Sequence, residues 1–277
     1  MIKLTDLLSK ISEQHDLRIA VPAGYDRLIS RADLLQTDLI PDAETLYLCT
    51  DTALLQNHTV IEKLSALSVP PLILTDCREE FLLPVIRAEK IPDVHALFRT
   101  ILECLKFEDR LQKEINDLYH LLYTGRGLEG IVKQAETFLN RPISVLDAGY
   151  GMIAVSPMML QLPFGVETSG TGHFLNAREV ESLRRLQIEN QIYQNNQAFF
   201  VQTEDHPETN WIFCAIRIQH VMSGYVAVCL PDQAKATEHE LRLTTAFADI
   251  CAVEMQKHDF FIQRTGLQYE TFFSELI

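Results

Sequence analysis

Two neighbouring segments, residues 211–219 (WIFCAIRIQ) and 225–230 (YVAVCL), are apolar at nearly every position and rich in β-branched and aromatic side chains. A strand with one face in water alternates apolar and polar residues, so strands of this kind belong to a sheet covered on both faces. Whatever else the chain builds, it must build that sandwich. Residues 220–224 (HVMSG) join the two as a hairpin, and 198–202 (AFFVQ) supply a further strand before them. After them, Thr237 and Glu240 have the spacing of a capping box, opening a long helix through Leu243, Phe247 and Ile250 to about residue 261.

Upstream, residues 141–157 (RPISVLDAGYGMIAVSP) contain the spacing G-x-G-x-x-A. A dinucleotide fingerprint needs a strand before the glycines and a helix after them, so that the helix N-terminus faces the phosphates. Here Met152 to Ser156 form a second short apolar run stopped at Pro157, and the expectation is a β-hairpin whose turn uses Asp147, Gly149 and Gly151. Residues 157–176 then read as a loop, Asn176 and Glu179 as another capping box, and 178–194 as one helix. Helix, hairpin, helix, three antiparallel strands and a long helix describe an α+β domain over residues 125–262 with a central antiparallel sheet flanked by helices.

The first 92 residues alternate helical and extended segments, with TLYLCT (45–50) and PLILT (71–75) as apolar strands and 82–86 as a further one. This is the pattern of a small α/β domain with parallel strands. Asp51 and Asp76 stand at strand ends, where such a sheet places sites, but their expected role is to cap the helices after them. Between the domains, at 93–124, Leu97, Ile101, Cys104, Leu111, Ile115, Leu118 and Leu122 keep a three-four spacing interrupted at Glu108. The spacing predicts one long helix, whose stripe serves either a second copy of the chain or the protein's own core.

The balance of 24 basic against 38 acidic residues, net −14, repels a phosphate backbone over the chain as a whole. Arg184 and Arg185 fall among glutamates on a helical pattern and read as a solvated face. Cys49, Cys77, Cys104, Cys214, Cys229 and Cys251 are scattered singly, which predicts reduced, mostly buried thiols and neither a metal site nor a disulfide framework. With neither a leader nor a membrane-length apolar run in the sequence, a cytoplasmic protein without membrane contact is expected.

The run VLDAGYGMIAVSP, the following loop and helix, AFFVQ, WIFCAIRIQHVMSGYVAV and the long final helix resemble a GAF-type sensor domain. With the preceding α/β segment and the ending EMQKHDFFIQRTGLQYETFFSEL, residues 40–277 resemble the N-terminal sensory part of PucR/CdaR-type bacterial transcription regulators. The resemblance implies a small-molecule effector and DNA reading by a C-terminal helix-turn-helix, which these residues do not supply. DNA would then be reached only through a further domain. The apolar stripe Tyr269, Phe272, Phe273 and Leu276, in a helix assigned to 263–277, is expected to lead towards such a domain or to pack on a partner.

On strand 211–219, Trp211, Phe213, Ala215 and Arg217 share one face, and that mixed face is the candidate wall of a ligand cavity. Arg217 would pair with a carboxylate or phosphate, or else reach solvent or a local acid. Tyr150 at the hairpin and Phe164 and His173 in the loop would close over the ligand. No triad, carboxylate pair or phosphate loop is present, so no catalysis and no cofactor are expected, with His173 the one thin candidate for an enzyme. The expected function is a ligand-sensing, homodimeric regulatory region. The competing expectation is an interaction scaffold whose cavity is collapsed and filled by Met158, Met159 and Phe164.

Overall fold

The computed structural model describes residues 1–21, 24–162, 166–169, 172–175, 177–202 and 209–257, and only the backbone of 166, 168, 169, 178 and 179. The expectations for Phe164, for the cap at Asn176 and Glu179 and for the helix at 263–277 lie outside the residues or side chains described. The chain divides into two compact units, Met1–Arg110 and Leu111–Ile277.

The first unit runs β1 (Ile2–Lys3), α1 (Leu4–His15), β2 (Ile19–Ala20), β3 (Leu28–Ile29), β4 (Arg31–Leu34), β5 (Thr45–Leu48), α2 (Thr52–Leu55), α3 (His58–Ser65), β6 (Leu72–Thr75) and β7 (Ile86–Ala88). Strands β4, β5, β6 and β7 are parallel neighbours, with β2 antiparallel on the edge beside β7. Both faces are covered, as the apolar runs TLYL and LILT require. Leu46, Leu48, Leu72 and Leu74 pack with Leu7 and Ile11 of α1, whereas Tyr47 and Ile73 pack with Leu55, Val60 and Leu64 of α2 and α3. Strand β7 begins only at Ile86, because Pro84 cannot donate to a ladder. Asp51 caps α2 through Ala53 N at 2.8 Å. Asp76 caps no helix, but its carboxylate accepts from Ile91 N at 3.0 Å.

Helix α4 (Val94–Leu121) is unbroken and contains the division between the units. Leu97, Ile101 and Leu105 join the core of the first unit, and Glu108, on the same stripe, is buried against Lys10 at 3.6 Å. Farther along, the buried positions are Leu111, Glu114, Leu118 and Leu121, in place of the expected Ile115 and Leu122. Glu114 is drawn inward by His239, whose Nε2 lies 2.5 Å from its carboxylate.

The second unit continues with α5 (Gly127–Leu139), β8 (Ile143–Asp147), β9 (Gly151–Val155), α6 (Pro157–Leu160), β10 (Val166–Ser169), β11 (Gly172–Leu175), α7 (Ala177–Arg185) and α8 (Ile188–Gln194). It closes with β12 (Phe199–Gln202), β13 (Thr209–Ile218), β14 (Val221–Pro231) and α9 (Glu238–Lys257). The seven strands form one antiparallel sheet in the order β10-β11-β9-β8-β14-β13-β12. Helices α5 and α9 cover one face and α6 to α8 the other, the α+β architecture expected of this region. Three local expectations are corrected. The segment 157–176 is not simply a loop, since β10 and β11 extend the sheet beyond β9. The helix expected over 178–194 is two helices, broken where Gln187 takes a left-handed φ of 51°. The hairpin loop is only Gln219 and His220, both at positive φ as a tight two-residue turn requires, so Val221 to Gly224 belong to β14.

The G-x-G segment is a hairpin. Asp147 Oδ1 accepts from Gly149 N and Gly151 N, each at 2.8 Å, and Tyr150, rather than either glycine, adopts the positive φ. Gly151 is required for space instead, because a Cβ there would lie 2.7 Å from Asp147 Oδ2. At the start of α9 the capping box is reciprocal: Thr237 Oγ1 accepts from Glu240 N, and Glu240 accepts from Thr237 N at 2.8 Å.

Candidate functional site

Alternation along β13 sends Ile212, Cys214 and Ile216 towards α9 and turns Trp211 and Phe213 towards α8. Register then decides which other side chains join them. Leu146 stands opposite Tyr225 and Ser144 opposite Ala227, on that same face. These six residues floor a chamber whose roof is Met159 of α6, Leu175 of β11, Ser182 and Leu183 of α7 and Ile188 of α8. The rings form a continuous wall: Trp211 stacks on Phe213 at 6.0 Å and 19°, and Phe213 meets Tyr225 at 6.2 Å and 60°.

The chamber has a volume of about 30 Å³, the space of a single water. Two polar atoms stand out on its floor. Ser144 Oγ and Tyr225 OH are buried, their residues 0% and 3% exposed, and among the described residues no group hydrogen-bonds to either. Unmatched buried hydroxyls are uncommon because each forfeits its hydration without return. Burial, reinforced by the charges of Glu189 and Asp147, raises the Tyr225 phenol well above its ordinary value, so at neutral pH it is a hydrogen-bond donor.

Of the residues singled out from sequence, Trp211 and Phe213 line the chamber. Tyr150 packs against the same cluster, with its hydroxyl buried and unmatched and Arg184 5.6 Å above its ring. His173 lies in β11 opposite Met152 and is not part of the lining, and Phe164 is outside the described residues. Arg217 follows a β-bulge, where the pairing steps from Ile216–Gly224 to Arg217–Met222. Its guanidinium turns to the end of α8, donating to the carbonyls of Ile192 at 3.3 Å, Tyr193 at 2.5 Å and Asn195 at 3.3 Å. It closes off the helix C-terminus, a favourable place for a cation. Arg217→Ala is expected to cost about 1 kcal/mol and to fray α8. Hydrogen exchange at amides 188–194 reads this, and unchanged protection there would refute the capping role.

Sequence reasoning missed Ser144 and Tyr225. The signal for Ser144 was present as the one polar residue inside the apolar run ISVL, but Tyr225 needed the β13–β14 register. Met159, expected as a filler, is fully buried in the roof. Cys214 and Cys229 are buried as expected, burial pushing each thiol up to about 12, whereas Cys77 and Cys104 are half-buried. Among the described residues there is no group of three or more side chains suited to hold a metal ion, and no helix long and apolar enough to cross a membrane.

The first unit has a larger hollow of about 430 Å³ along the sheet edge at β4. It is an open groove of mostly exposed polar residues, in which Arg31 pairs with Asp42 at 3.5 Å and Tyr47 OH donates to Ile40 O and accepts from Asp42 N. This leaves the chamber of the second unit as the candidate site.

No family model and no curated protein matches the chain. Among the solved structures similar to it are three GAF domains. The cofactor-binding GAF domain of the nutrient sensor CodY from Clostridium difficile aligns with 55% of this chain and 97% of its own at 10% identity and a TM-score of 0.37. A GAF domain from A. aeolicus in an inactive state aligns with 54% and 98% at 8% identity and a TM-score of 0.37. The GAF domain of an Acinetobacter phosphoenolpyruvate-protein phosphotransferase aligns with 55% and 95% at 9% identity and a TM-score of 0.38.

Proposed function

We propose that the second unit is a sensing module that takes a small-molecule effector in the chamber beneath β8, β13 and β14. The carrying observation is the pair of unmatched hydroxyls, Ser144 and Tyr225, on an otherwise apolar floor. A buried hydroxyl without a protein partner forgoes stability, and a ligand that hydrogen-bonds to it recovers that stability. The unit binds and does not catalyse. Effector binding favours one arrangement of the roof helices over another by its differential affinity for the two. On this reading the chain is the cytoplasmic sensory and dimerisation region of a bacterial transcription regulator of PucR/CdaR type, acting on DNA through a further domain. The order of its elements supports that assignment.

A second reading has its own observation. At about 30 Å³ the chamber accommodates no more than one water, and Met159 fills the roof. The unit is then an assembly scaffold with a closed cavity. Tyr225→Phe separates the two. It should raise the stability of the free protein by about 1 kcal/mol, since it removes a buried unmatched group. For a sensor, it should also reduce the thermal shift produced by hits from a metabolite panel on the wild type. If no compound shifts the wild type, the scaffold reading stands and the sensor reading falls.

A further inference from the structure

Resting on the reading of the chamber as an effector site, we infer that the effector is an uncharged, mainly apolar molecule that presents one hydrogen-bonding oxygen or nitrogen to Ser144 and Tyr225, and not a carboxylate or phosphate metabolite.

The described lining holds apolar side chains and hydroxyls and no ionisable group other than the Tyr225 phenol. Arg217, on the strand that carries Trp211 and Phe213, donates from Nη2 to three carbonyls at the end of α8 and lies 5.7 Å from the ring of Tyr193, and neither it nor its buried, unmatched Nε belongs to the described lining. Arg184 stands over the outer ring of Tyr150. An anion placed on the floor would give up its hydration without a countercharge, which is far costlier than burying a neutral group. The charges that reach Tyr225 are the carboxylates of Glu189 and Asp147, and they oppose a second negative charge. What the floor does offer is a wall of three aromatic rings and two hydroxyls able to donate or accept.

Size is set by the roof. Any molecule larger than water must displace Met159, Leu183 or Ile188, and the unbranched methionine yields most readily. One ring, or a short aliphatic chain with a single polar end, is what this geometry takes.

The test uses the full chain, with Trp211 as reporter because it is the sole tryptophan and lies in the wall. Three probes of one shape are titrated at neutral pH: 4-methylphenol, toluene and the anion 4-methylbenzoate. We expect 4-methylphenol to perturb Trp211 emission at concentrations at least about tenfold lower than 4-methylbenzoate. Tyr225→Phe and Ser144→Ala should each weaken 4-methylphenol roughly three- to tenfold and leave toluene unchanged, toluene serving as the check that each variant keeps its chamber. Binding of 4-methylbenzoate equal to or tighter than that of 4-methylphenol overturns the charge class while leaving the chamber an effector site. Trp211 emission and melting temperature both unmoved by all three probes at millimolar concentration overturn the effector-site reading, and this inference with it.

Discussion

Gly224→Ala is expected to unfold the second unit. A Cβ at this position would lie 2.3 Å from the carbonyl oxygen of Leu146 and 3.3 Å from its carbonyl carbon, both backbone atoms. Nothing there can swing aside. Gly224 sits where β14 meets Asp147 of β8 and Ile216 of β13, so relief requires central strands to part. Leu146 also carries a side chain of the chamber floor, so the movement would spread to the site. A backbone clash of this kind in a packed sheet costs about 3 kcal/mol or more. Denaturant unfolding followed through Trp211 measures it, and a loss under about 1 kcal/mol would show that the strands tolerate the displacement. Gly151→Ala is the milder comparison. Its Cβ would meet only the Asp147 carboxylate, which can rotate away at the expense of its bonds to the turn, for a cost of about 1 kcal/mol.

Arg141→Met is expected to destabilise the same unit by about 3 kcal/mol by leaving Glu240 without its countercharge. Glu240 is 5% exposed and receives Arg141 Nε at 2.8 Å, Thr237 N at 2.8 Å and Thr237 Oγ1 at 2.9 Å. Burial by itself would raise this carboxyl, but the donors from Thr237 and Arg141 outweigh it and hold the group below its ordinary 4.5. A carboxylate depressed on folding contributes stability that is present above its unfolded value and is lost as pH falls through the folded one. The wild type should therefore lose stability on acidification below about pH 4.5. Glu240→Gln should be less stable at neutral pH and flatter across that acid window. Unfolding free energies at pH 7 and through the acid range check both statements, and an unchanged slope in Glu240→Gln would assign the acid sensitivity to other carboxylates.

Much of the layout was legible because it rests on short-range rules. The runs WIFCAIRIQ and YVAVCL announce a sheet covered on both faces, and α5, α9 and α6 to α8 cover it. Thr237 and Glu240 form their capping box through bonds spanning three residues, and Asp147 closes its turn within four. These depend on side-chain chemistry and a local spacing that a sequence displays directly. The strands hidden in 157–176 did not announce themselves, since VETS and GHFL have weak strand character and pair because β9 presents a free edge. Nor did the break at Gln187, or the positive φ at Tyr150, Gln219 and His220, where neighbouring glycines are the more obvious candidates.

The site divides in the same way. Period-two alternation was enough to put Trp211 and Phe213 on one face. Tyr225 and Ser144 join them only through the registers of β13 with β14 and β14 with β8. Arg217 leaves the chamber because a bulge precedes it and α8 ends within its reach, presenting carbonyls that need a donor. Periodicity thus determined which residues share a face. Which of them converge on a cavity, how little room it keeps and which hydroxyls stay unmatched were decided by strand register and helix placement, which are set by contacts between residues far apart in the chain.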